Sequence, residues 1–97
     1  MPTYISLLNY TQQGAANIKE SPARLDAARK AGQPMGVQVK EWYLVMGQYD
    51  AIVVSEAPND EAVAKFLIAT AALGNVRTQT FRAFTEDEFR ALIAAVP

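Results

Sequence analysis

Ten carboxylates, nine cations, four tyrosines, no histidine and no cysteine define the chemistry open to this 97-residue chain. Without cysteine there are no disulfides, thiolate nucleophiles or cysteine-bound zinc and iron–sulfur clusters. Without histidine the commonest metal ligand, the usual general base and a proximal haem ligand are gone as well. Proton transfer would fall to Tyr, Asp or Glu, with Arg to hold charge. Glu41 and Glu56 are the pair best suited to it. In a hairpin that sets Met46 against Ala51 they stand opposite each other, and two carboxylates crowded in a desolvated site raise one pKa toward neutrality, which makes a general acid or base. Arg77 or Arg82 could instead neutralise them, and at an exposed edge solvent would screen both. Two carboxylates are too few oxygen ligands for a hard cation, so no metal site is read here, nor any cofactor site.

Three other groups of residues could bind rather than react. Tyr49 and Asp50 sit where a loop tip is expected. A phenol and a carboxylate there could take a small polar ligand or line a cleft at a subunit boundary, or Asp50 could accept backbone N–H bonds while Tyr49 packs on the sheet. Tyr4, Tyr10, Trp42, Tyr43 and Phe81 could line a pocket for a planar organic molecule or serve as packing. Arg77, Arg82 and Lys40 could hold an anion or remain solvated.

The element that must position most of these is the stretch 37–57, VQVKEWYLVMGQYDAIVVSEA, two β-branched and aromatic runs folded about Gly47-Gln48-Tyr49-Asp50. Alternation places Val37, Val39, Glu41 and Tyr43 on one face and Gln38, Lys40, Trp42 and Leu44 on the other. Gln48-Tyr49 suits no type I′ turn, so a four-residue loop 47–50 is expected, with Gly47 free to take any positive φ. That register sets Tyr43 opposite Val54, Trp42 opposite Ser55 and Glu41 opposite Glu56.

Upstream, residues 3–10 read as a strand with apolar groups on both sides. A turn ending at Gly14 leads to a helical stretch with Ala15, Ile18, Leu25 and Ala28 at helical spacing. Ser21-Pro22 interrupts it, predicting a short turn, a restart and a helix to about Ala31. Downstream, Asn59 or Asp60 caps a helix whose inner stripe is Val63, Phe66, Leu67, Thr70 and Leu73, ended by Gly74. Residues 76–84 form a last strand of mixed polarity. Thr85 and Glu88 make a capping box for a final helix with Phe89, Leu92, Ile93 and Val96 on one face, expected to lie against the body.

The order strand, helix, strand, strand, helix, strand, helix is the split βαβ, ferredoxin-like α+β pattern with an added C-terminal helix, its first and third strands central. At this length residues 1–97 are expected to form a single domain. A net charge of −1 with scattered basic residues gives no footprint for nucleic acid. No apolar run approaches the roughly 20 residues of a membrane span, and no basic stretch precedes an apolar one at the start, so a cytoplasmic location is expected. Helices cover only one face of such a sheet, yet both faces of its central strands carry apolar groups. A homodimer with sheets facing is therefore expected. The run 66–73 is uncharged all round, which could extend the assembly to a higher oligomer.

Several short motifs occur in a fixed order along nearly the whole chain: Asn17-Ile18-Lys19-Glu20-Ser21-Pro22, Gly47-Gln48-Tyr49-Asp50-Ala51, Glu56-Ala57-Pro58, Gly74-Asn75-Val76-Arg77-Thr78 and Arg82-Ala83-Phe84. In these the chain resembles the GYD-domain family of small prokaryotic proteins, with Gln48 standing between Gly47 and the Tyr49-Asp50 pair. The resemblance implies a dimeric α+β barrel and no particular activity. Two functions follow as expectations: a small homo-oligomeric module that binds a small molecule or supports an assembly, or, by analogy of fold alone, a cofactor-independent monooxygenase or isomerase for a small aromatic or enol-like substrate. A pocket holding Glu41, Glu56 or Tyr43 beside an arginine would separate the second from the first.

Overall fold

A computed structural model describes residues Met1–Pro97. Strand β1 (Thr3–Tyr10) leads into a one-turn helix α1 (Gln12–Ala16), a 3-10 turn and helix α2 (Ser21–Gly32). Strands β2 (Gln38–Leu44) and β3 (Ala51–Glu56) form the hairpin, α3 (Asp60–Ala72) crosses back to β4 (Val76–Ala83), and α4 (Glu86–Ala95) follows. The four strands pair antiparallel in the order β2-β3-β1-β4, so the expected ferredoxin-like topology, with β1 and β3 central, is the one observed.

Local sequence explains most element ends. Pro22 occupies the first turn of α2, where its missing N–H costs nothing, and the restart falls at the expected place. Asn59 caps α3 by accepting from the Ala62 N–H, and Gly74 ends it with a φ of 81°. Thr85 and Glu88 close the capping box of α4. Glu88 is held below the ordinary carboxylate range mainly by its bond from the Thr85 backbone N–H.

Gly14 is not the breaker expected. It lies inside α1, buried, because a Cβ there would come within 2.0 Å of the Asn75 carbonyl oxygen. Thr11 caps this short helix, and its hydroxyl also donates to the Gly74 carbonyl at 2.6 Å, which pins α1 to the turn before β4.

The hairpin differs from expectation in two ways. Its connection spans residues 45–50, so Leu44, not Met46, faces Ala51. Gly47 takes no positive φ, since a six-residue loop can reverse the chain without one. A β-bulge then leaves Lys40 without a partner between Val39 and Glu41. The pairs become Tyr43 with Ile52, Trp42 with Val53, Glu41 with Val54, Val39 with Ser55 and Gln38 with Glu56. One inserted residue reverses the alternation beyond it, which sends Val39 to one side of the sheet and Glu41 and Tyr43 to the other.

Helices α2 and α3 lie on the face formed by Tyr4, Ser6 and Leu8 of β1, all buried. The core proper is Tyr4, Val37, Ala57 and Val63, with Met35, Ala62 and Phe66 packed against it. Only 10 of 97 residues are buried, so much apolar surface stays exposed. Helix α4 leaves the body, contrary to expectation: none of its residues is buried, and Phe89, Leu92, Ile93 and Val96 are all about half exposed or more. Its capping signals fix where the helix begins, but not what its apolar stripe packs against.

Tyr4 ties the core to α3, its hydroxyl donating to Asp60 Oδ1 at 2.5 Å. Burial raises the Tyr4 pKa most, followed by this bond and the Asp60 charge, while Arg82 opposes them. A raised value makes the tie fully effective below the ordinary pKa of 10.0 and lost as pH rises through the folded-state value. Tyr4→Phe should therefore cost about 1–2 kcal/mol, seen as a lower melting temperature at pH 7, with the gap from wild type closing above pH 10. A gap that stays constant through the alkaline range would assign the loss to packing instead.

Candidate functional site

The second face of the sheet carries no helix. Register places Ile5, Leu7 and Asn9 of β1 on it, beside Ile52, Val54 and Glu56 of β3, Glu41 and Tyr43 of β2, and Arg77, Gln79 and Phe81 of β4. Its centre is apolar and its margin polar. Tyr43 is 52% exposed and Phe81 47% exposed, values that a filled interface would not leave.

Five of the seven candidate residues from the sequence converge on this face or its rim. Glu41 and Glu56 share it, but they are not opposite: Glu41 faces Val54 and Glu56 faces Gln38, because of the longer loop and the bulge. The cross-ladder carboxylate pair is thus not formed. Glu41 accepts a hydrogen bond from the Tyr43 hydroxyl, and that bond, more than the Glu41 charge, raises the phenol pKa. Tyr43 therefore holds its proton at neutral pH and is a donor, not a base. Tyr49 reaches over from the loop and donates to Gln79 Oε1 at 3.0 Å. Together with Leu7, Asn9, Thr78 and Arg77 these two residues line a cleft of about 220 Å³. Arg77 forms none of the salt bridges in the chain, so its guanidinium is free to meet an anion.

The other two candidates are structural. Asp50 Oδ2 accepts from the Tyr10 N–H at 2.9 Å, and the Asp50 N–H donates to the Leu8 carbonyl at 2.9 Å. Its carboxylate locks the hairpin loop to the end of β1, while its carbonyl accepts from the Val45 N–H at 3.0 Å to close the loop. Arg82 points to the helical side opposite Tyr4, stacks on Phe84 at 4.5 Å and pairs with Glu88 at 3.8 Å. It lies five positions after Arg77, an odd offset in a strand, so the two point to opposite faces and cannot share a site. Lys40 sits exposed at the bulge. The aromatic set is also divided: Tyr4 is core, Tyr43 and Phe81 lie on the open face, and Tyr10 and Trp42 face the helices. Asn9 and Gln79, which complete the cleft with Tyr49, carry no chemical signal in sequence. The two-residue period linking Arg77, Gln79 and Phe81 is the signal that could have found Gln79.

Fold and open face together define a small ferredoxin-like α+β domain with one sheet face available for contacts. The chain belongs to the GYD-domain family, whose model matches residues 4–93. It is 34% identical over 84 residues, 86% of this chain and 88% of the relative, to a Thermus thermophilus protein named glutamine synthetase and cystathionine beta-lyase binding protein. Among solved structures it resembles TTHA0845 from the same organism, at 25% identity and a TM-score of 0.56 over 88% of this chain and 95% of that one. It also resembles MtbAldR, with a TM-score of 0.68, and a feast or famine regulatory protein from M. tuberculosis complexed with L-methionine, with a TM-score of 0.67. Both are 16% identical and covered over 88% of this chain, which spans about half of each (54% and 51%); that likeness is one of fold. No helix is long and apolar enough to cross a membrane.

The Asp50 lock gives a direct test of the family motif. Asp50→Ala should destabilise the chain by about 1.5–3 kcal/mol, the range for a hydrogen bond to a charged group, and speed amide exchange at Tyr10. Asp50→Asn keeps an acceptor and should cost less. Equal stability of all three proteins would remove Asp50 from this role.

Proposed function

We propose that this protein is a non-catalytic binding module that works as a homodimer, two open sheet faces packed together, and that it docks onto a metabolic enzyme. The observation that carries the reading is the uncovered apolar face around Ile5, Leu7, Ile52 and Val54. Strands of six to eight residues at about 3.3 Å per residue, four abreast at about 4.8 Å, span about 460 Å² per subunit. Two such faces bury about 900 Å², just under the ~1,000 Å² a specific interface should clear, and the exposed α4 stripe can supply the difference. At ~25 cal/mol per Å² even the apolar half would contribute on the order of 10 kcal/mol against the entropy lost on association. The relative's name supports an enzyme as the external partner.

In this reading Tyr49 and Arg77 form a polar cleft at the rim of the interface, suited to a small anionic ligand, while Glu41, Tyr43 and Glu56 border the contact. Binding is favoured over the monooxygenase or isomerase alternative because neither main cleft holds Glu41, Glu56 or Tyr43, and no arginine salt bridge reaches any of them. The cytoplasmic location expected from the sequence goes with an enzyme partner of this kind.

Light scattering of the full chain should give twice the 10.6 kDa subunit mass. Leu7→Glu and Ile52→Glu should each return it to a folded monomer with unchanged helical circular dichroism. A wild-type monomer at micromolar concentration would overturn the dimer. Titration onto immobilised glutamine synthetase and cystathionine beta-lyase from the source organism should show saturable binding to one of them, and binding to neither would overturn the enzyme-docking role.

A further inference from the structure

On the other side of the sheet, between α2, α3 and the strands, lies a partly open cavity of about 280 Å³. It exists because the core fills only one end of the helix–sheet layer. At the other end both helices present small side chains, Ala28 and Ala31 from α2 and Ala69 from α3, where larger ones would close the space. Trp42, Phe66 and Leu25 supply wide apolar wall, and the conformation leaves it unfilled.

The polar groups gather where β1 meets the start of α2. Tyr10 Oη and Ser21 Oγ are 2.7 Å apart, and whichever hydroxyl donates, one O–H remains free for a ligand. Arg24, one helical turn after Ser21, donates to the Asn17 carbonyl at 3.1 Å and the Gly14 carbonyl at 3.3 Å, with Glu20 3.7 Å away. A guanidinium has five N–H donors, so these bonds hold the group in place and leave others available. Thr70 is spent on the Phe66 carbonyl. No carboxylate lines the cavity, and Arg24 is its one charge. The wall therefore offers hydrogen-bond donors, with the Arg24 charge partly offset by Glu20 outside the cavity.

We propose that this cavity binds a small flat hydrophobic molecule bearing one carboxylate or carbonyl oxygen. The apolar body rests against Trp42, Phe66 and Leu25, and the oxygen accepts from the Tyr10–Ser21 hydroxyl pair and Arg24. An apolar cavity of about 150 Å³ takes a benzene ring, so this one suits about eight to twelve non-hydrogen atoms, the size of a fused bicycle. The proposal is independent of the sheet-to-sheet dimer, because the cavity opens on the opposite side of the sheet.

Trp42 is the one tryptophan, so its indole N–H gives a single reporter resonance in the cavity wall. The full chain is titrated with 2-naphthoate and with 2-naphthylmethylammonium, which share a ring system and differ in charge. Saturable movement of the Trp42 resonance is expected with naphthoate, with the ammonium weaker by about tenfold or more. Ala28→Phe, and as a milder filling Ala69→Leu, should weaken naphthoate by about tenfold with the fold retained, and Ile52→Glu on the open face should leave it unchanged. No saturable shift with either probe, binding that survives both fillings, or loss of binding in Ile52→Glu would each overturn the proposal. Binding seen only once Leu92→Glu has disrupted the α4 stripe would also overturn it, and would assign the groove to a helix from a second copy.

Discussion

A four-stranded antiparallel sheet has two faces, and this chain has two long helices to lay on one of them. The central strands are apolar front and back: Tyr4 and Leu8 point to the helices, while Ile5, Leu7, Ile52 and Val54 point away. A right-handed crossover brings α2 and α3 to the same side, so neither covers the other face, and α4 leaves the body. That asymmetry links the small buried core, the exposed Tyr43 and Phe81 and the proposed dimer. An apolar surface this open is the feature the proposed dimer would cover.

Two local devices decide which side chains face that contact. The Leu44–Ala51 pairing keeps Glu41 and Tyr43 on the open face, and the bulge at Lys40 turns Val39 over to the helices. The Asp50 lock fastens the hairpin loop to the end of β1, which carries Tyr49 over to Gln79 and so forms the polar cleft beside Arg77. Asp50 thus acts through Tyr49. Its carboxylate is engaged by backbone N–H, and its effect on the cleft is positional.

The molecule has two concave sites of opposite character on opposite sides of one sheet. The cleft at Tyr49 and Arg77 is polar and lies beside the proposed interface. The cavity under α2 and α3 is apolar, with donors at one end. Leu7 and Leu8, neighbours in β1, line one each.

The periodicity of the strands, the Pro22 restart, the Asn59 cap and the Thr85–Glu88 box are local signals, and each determined its element from sequence alone, with the strand order following from connection rules. The alternation of β4 likewise fixed Arg77 and Arg82 on opposite faces. What sequence could not determine were features set by contacts between distant residues. Gly14 is required by the Asn75 carbonyl, 61 positions away. The loop over residues 45–50 shifts the Glu41 register by two and the Lys40 bulge turns Val39 over, because β2 pairs to suit β3 and the helices, not its own alternation. Trp42 and Tyr10 meet the alanines of α2 and α3 only once the layers are stacked, so the cavity between them exists in no single stretch of the chain. Local order needs only neighbours a turn or a strand apart, whereas a site is a coincidence of surfaces, which folding alone brings together.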